Sequence, residues 1–141
     1  MLKEIIITDN ASTTLFIRLM VGTVFLSEGI QKFLFPEELG AGRFAKIGLP
    51  NPEFLGPFVG SFEIVCGSMV LLGLFTRVAS IPLIIIMLVA LMATKAKILA
   101  NDGFWEMMHA SRTDWAMLLG GIFLLIKGGG RWSIDQNISE R

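Results

Sequence analysis

Six ionisable side chains interrupt otherwise apolar stretches of this sequence: Arg18, Glu28 and Lys32 in the first, Glu63 in the second, Lys95 closing the third and Asp114 opening the fourth. An ionised group in hydrocarbon costs about 2.5–3.5 kcal/mol on insertion scales, so each needs a partner or a purpose. Helix arithmetic supplies a meeting point. Glu28 lies seven residues before Phe35, and Glu63 lies nine residues after Phe54. At a rise of about 1.5 Å per residue, both fall roughly 10–14 Å below the end of the bundle that carries the long connections. Lys32 follows Glu28 in the favourable Glu-to-Lys i,i+4 order. Carboxylates and amines at one depth in oil can exchange protons and hydrogen-bond a ligand's polar head. Glu28, Lys32, Glu63, Lys95 and Asp114 are therefore the candidate ligand-binding residues. Arg18 sits in the opposite half of its stretch. It and Arg77 are read as structural polar residues.

Four membrane-crossing helices would bring these residues together. A hydrocarbon core needs about 20 apolar helical residues. The apolar stretches predict spans at about 14–35, 54–75, 77–97 and 111–127, in an all-α membrane protein built as a four-transmembrane-helix antiparallel bundle. The chain reads as one domain over 1–141. Residues 73–77 join the second and third spans as a tight hairpin. The connection 36–53 holds a short helix near 43–47, and the connection 97–112 holds one near 104–110. Gly60, Glu63 and Gly67 share one helical face, which turns Glu63 toward a neighbouring helix, and Gly56 and Gly60 form a small-xxx-small pair. Phe54, Phe58, Trp105 and Trp115 suit one interfacial zone and Trp132 the other.

Composition agrees: 53% of residues are hydrophobic and 17% charged, and mean hydropathy is +0.68. A soluble helical core is the alternative, but the apolar runs are too long and too many for it. The first run is also too long for a signal-peptide core, and residues 1–12 mix Lys3 with Glu4 and Asp9, so it is read as a retained span. One face carries Lys3, Arg77, Lys127, Arg131 and Arg141. The other carries Lys32, Arg43, Lys46, Lys95, Lys97 and Arg112. Discounting the buried Lys32 and Lys95 leaves the balance toward cytoplasmic N- and C-termini in a multi-pass protein of the inner or plasma membrane.

Several chemistries lack their residues. The formal net charge is zero, which gives no reason to expect nucleic acid. One histidine, His109, cannot supply two haem ligands, and no cysteine cluster exists for zinc or iron–sulfur. Cys66 alone cannot run dithiol exchange and reads as an apolar filler. The glycines at 128–130 end a helix rather than cradle a phosphate. No metal and no covalently bound cofactor are expected, and no catalytic cofactor motif appears. A redox role would use a diffusible quinone or a cofactor held by another subunit. Lys32 or Lys95 could donate to a quinone carbonyl, with Glu28 and Glu63 accepting protons. The rival readings are a non-catalytic scaffold that docks a larger membrane complex through glycine-rich faces, and a small-solute transporter. Expected partners are lipid and either other subunits or further copies of this chain.

The motifs Arg18-x3-Gly22, Glu28-Gly29-x2-Lys32, Phe44-x3-Gly48-Leu49-Pro50, Glu63-x3-Gly67 and Leu72-Gly73-x2-Thr76-Arg77 occur in that order, with Ala90 at a small position and Ser133-Ile134-Asp135 near the end. In these the sequence resembles the DoxX family of small membrane proteins, over about 15–135. The resemblance implies a four-helix membrane bundle with both ends cytoplasmic and a link to membrane redox systems. Relatives include the membrane subunit of a thiosulfate:quinone oxidoreductase and members associated with sulfurtransferase and superoxide dismutase partners. Glu28 stands where many relatives carry histidine or another polar residue.

Overall fold

The computed structural model describes residues 2–140; Arg141, counted above, lies outside them. Among these residues every regular element is helical. In chain order they are α1 (Leu2–Ile6), α2 (Thr14–Leu34), α3 (Ala41–Lys46), α4 (Pro52–Leu72), α5 (Thr76–Ala90), a π-helical segment (Leu91–Lys95), α6 (Ala96–Asp102), α7 (Phe104–Ala110), α8 (Arg112–Lys127) and α9 (Ile134–Ser139). Three helices are long and apolar enough to cross a membrane: Thr14–Leu34, Pro52–Leu72 and the continuous rod Thr76–Asp102. The rod runs on past 97, where the sequence reading ends the third span. α8 has 16 residues, which gives it only about 24 Å of length.

Packing divides the long helices into two intimate pairs. α2 lies against α4, and α5 lies against α8. Glycine makes the first pair close. A Cβ on Gly29 would stand 2.7 Å from the Gly60 carbonyl oxygen, and one on Gly67 would stand 2.8 Å from the Leu26 nitrogen. Both glycine series thus face each other inside the fold, which leaves those faces covered. Gly120 of α8 meets Val21 of α2, and Gly121 meets Ile84 of α5, so α8 also touches the first pair. The shared core is Val21, Phe25, Cys66, Val70, Ala79, Leu83, Met117 and Leu124. Cys66 is a buried free thiol there. Many large apolar side chains face outward, among them Phe16, Met92, Leu119 and Ile126, as a surface bathed in lipid requires.

The end carrying the short turn is tied by polar contacts. α4 stops in a Schellman motif, with Gly73 N–H donating to Val70 O and Leu74 N–H to Met69 O. Gly73 has φ +69°, and a Cβ there would lie 2.4 Å from Ser133 Cβ and 2.9 Å from Arg18 Cζ, so both backbone conformation and space demand glycine. Arg18 is 3% exposed. It donates to the Val70, Leu71, Gly129 and Trp132 carbonyls at 2.6–3.3 Å. It therefore caps the negative end of α4 and fixes the segment after α8. Asp135 does the converse for α5: its two carboxylate oxygens accept from Phe75 N–H at 2.7 Å and Thr76 N–H at 2.9 Å. Arg77 donates to Ile7 O at 2.8 Å, holding the N-terminal segment. Lys127 donates to Asp9 at 2.9 Å, and that hydrogen bond, with the lysine charge, holds the Asp9 carboxyl below its ordinary pKa.

Candidate functional site

At the opposite end, the two helix pairs separate around a cavity of about 510 Å³. Each pair contributes its own ion pair to the wall. In the first, Lys32 Nζ of α2 lies 2.7 Å from Glu63 Oε2 of α4. Glu63 is 2% exposed, and Gly29 and Gly60 bring its helix close enough for the lysine to reach it. Lys32 is also 4.0 Å from Glu28 one turn earlier, whose side chain is half-exposed at the cavity rim. In the second, Lys95 Nζ of the π-helical segment lies 3.1 Å from Asp114 Oδ2 in the first turn of α8.

All five candidate ligand-binding residues line this one cavity. Arg18 and Arg77 do not; they serve the other end. The sequence reading named the two lysines and three carboxylates but not their pairing. Spacing sets Lys32 beside Glu28, whereas the close partner is Glu63, on another helix.

Three features of the site were missing from the sequence reading. The first is Arg43 in the wall, which had been treated only as a topology-setting charge. α3 carries it over the cavity because the backbone of Ala41 packs directly on Gly56 of α4. Phe44 of the same helix is buried against the site. A Gly in register with a short apolar helix was the available signal. The second is Thr113, one residue before Asp114. The third is the π-helical turn at Leu91–Lys95. Such turns widen the helix by one residue and cluster at functional sites. Here it presents Ala93, Thr94 and Lys95 to the cavity, with Thr94 Oγ1 donating back to Ala90 O at 2.6 Å. Nothing in the residue types 91–95 announces that geometry.

The remaining lining is apolar: Val24 and Phe25 of α2, Val59 of α4, Ile86 and Val89 of α5, and Met117 of α8 are examples. The volume and this mixture of apolar wall with a few convergent polar groups match a small-molecule site. Within each pair the charges cancel, so the cavity offers hydrogen bonds without excess charge. A lysine ammonium has three donors. In Lys32 and Lys95 the ammonium also faces the carboxylate of its ion pair. His109 stands apart from the cavity and pairs with Arg112 at 2.7 Å on the exposed surface. Among the described residues, no three histidine, cysteine, aspartate or glutamate side chains group as a metal site.

Comparison with known proteins adds kinship to this geometry. The family model for DoxX matches residues 13–96. The uncharacterized membrane protein Rv3486 of Mycobacterium tuberculosis is 52% identical over 139 residues, covering 94% of this chain and 85% of that protein. The Bacillus subtilis protein named "Putative oxidoreductase CatD" is 27% identical over 122 residues, covering 86% and 84% respectively. No solved structure matches the chain.

Proposed function

This chain belongs to the DoxX family of membrane proteins, and on that premise we propose that it is the quinone-binding membrane subunit of a redox system. In this reading α8 is the fourth crossing of an antiparallel bundle in the cell membrane, and both termini are cytoplasmic. The cavity receives the quinone headgroup. Lys32 and Lys95 use their spare ammonium protons to hydrogen-bond the carbonyl oxygens, and Val59, Ile86 and Met117 hold the flat ring. Reduction of a quinone to a quinol takes up two electrons and two protons. The electrons come from a partner protein. The protons pass by way of Glu63, buried beside Lys32, and Glu28, at the rim where water reaches it.

The observation that carries this reading is the convergence itself: six ionisable residues from α2, α3, α4, the π-helical segment and α8 line one largely apolar cavity. Packing glue alone would need the two ion pairs but no space between them. The name of the Bacillus relative lends support from a redox context.

The test is quinone binding by the purified, mildly solubilised protein, with native mass spectrometry to read retained ligand. Wild type is expected to retain and rebind quinone. Lys32→Met and Lys95→Met each lose a charged hydrogen bond worth about 1.5–3 kcal/mol, a weakening of at least about tenfold. A protein that binds no quinone at any accessible concentration, or one whose binding survives Glu63→Gln and Glu28→Gln unaltered together with partner activity, rules the proposal out.

A further inference from the structure

A second hollow of about 260 Å³ adjoins the cavity on the seam between α4 and α5. Its walls are Phe58, Val59 and Phe62 of α4 with Pro82, Ile85 and Ile86 of α5, and no polar surface lines it. Four of those six residues, Phe58, Val59, Ile85 and Ile86, also wall the charged cavity. The two spaces therefore share these side chains as a common wall along one pair of helix faces. At the other side of the groove Phe58, Phe62 and Ile85 are 39–55% exposed, so it opens on the surface that faces acyl chains. The seam is one of the two junctions between the helix pairs. α4 and α5 are joined by the tight turn at Gly73 but pack against each other less than either packs against its own pair partner.

We infer that this groove is the tail subsite of the cavity's ligand and its lateral route from the bilayer: the ligand is an amphiphile whose isoprenoid tail lies along Phe58, Phe62 and Pro82 while its head meets the ion pairs. The assignment rests on the cavity being the headgroup site proposed above. Three features select a tail over other occupants. The groove is dry-walled, so a polar molecule gains nothing there. It shares four wall residues with a charged chamber, so one molecule with two unlike ends would satisfy both. Its mouth lies in lipid, where a tailed ligand is already concentrated and oriented. A ligand arriving this way never has to leave the membrane.

The experiment compares a tailless benzoquinone with the same headgroup carrying a long isoprenoid chain. Both are titrated against full-length protein at fixed micelle concentration, with partition into empty micelles subtracted. Wild type is expected to favour the tailed compound by tenfold or more. Phe62→Trp, which fills the groove without lining the cavity, is expected to abolish that preference and leave tailless binding unchanged. A quinone with a photoreactive diazirine at the tail end supplies a variant-free measurement in wild type: its adducts should fall on peptides containing 58–62 or 82–86. Equal affinity for the two compounds overturns the tail subsite but spares the headgroup site, as do adducts confined to other helices. So does a co-purifying phospholipid whose exclusion by Phe62→Trp leaves the tail preference intact. Absence of binding by either compound overturns the headgroup site, and the tail subsite with it.

Discussion

Lys32 and Glu63 form the residue-level hinge of the site, because neither can be discharged into water. Removing one partner leaves a buried charge, which typically costs about 3–5 kcal/mol. Lys32→Met should therefore lower unfolding stability in detergent by about that amount. The double variant Lys32→Met, Glu63→Leu should recover most of it, since an apolar pair of similar volume is often no less stable. Chemical denaturation in fixed detergent reads both, and a single variant as stable as wild type would show that the pair is not held dry. Arg18 behaves differently. Its guanidinium reaches four carbonyls on two chain segments, which the compact ammonium of lysine cannot cover. Arg18→Lys should consequently lose about 3 kcal/mol while leaving quinone affinity of the folded fraction unaltered. At this scale the sequence was generous with identity and poor in pairing. The cost of burying charge picks out Glu28, Lys32, Glu63, Lys95 and Asp114 from spacing alone. That Lys32 prefers Glu63, or that Asp135 caps α5, depends on how helices distant in sequence approach one another, and periodicity within one helix does not encode that.

The elements differ in how tightly they are specified. The α2–α4 contact is set by glycine against backbone, so a methyl group has nowhere to go. Gly29→Ala would place a carbon 2.7 Å from Gly60 O and should destabilise by about 1–3 kcal/mol. It should also push Glu63 away from Lys32. Gly121→Ala meets only the side chain of Ile84 at 3.1 Å, which can rotate, and should cost under about 1 kcal/mol. A reversed order in thermal denaturation would contradict this packing. The π-helical turn makes a dynamic prediction. It interrupts the regular ladder of the rod between α5 and α6, so amide exchange at 91–95 should outpace both flanks. Quinone should slow it by holding Lys95 and Thr94. The stop of the last span at Gly128 to Gly130 was legible in the sequence, whereas the second span, read as 54–75, is a helix over Pro52–Leu72 that ends at Gly73. The continuation of the third rod to Asp102 was not legible, because Lys95 and Lys97 resemble a helix end facing water. In the structure Lys95 turns inward to Asp114 instead, and the π-helical turn is what permits it.

For the whole molecule, the proposed reading makes α8 a fourth crossing, and α1 and α9 pack together at the short-turn end. In a Cys66→Ser background, Leu74→Cys and Ile138→Cys should react with an impermeant thiol reagent only from the cytoplasm, and Glu38→Cys and Asn101→Cys only from outside. Labelling of 138 and 101 from one side would place the termini on opposite faces and remove α8 as a span. The all-helical membrane character was legible because hydrocarbon forces long apolar helices, whereas the cavity was not: it exists only because two helix pairs close at the Arg18 end and part at the other. The most direct measurement is an experimental structure of the protein saturated with quinone. The expected result is headgroup density between the Lys32–Glu63 and Lys95–Asp114 pairs, within hydrogen-bonding distance of at least one ammonium. A chamber collapsed onto its own side chains, or quinone seated only elsewhere on the protein, would contradict it.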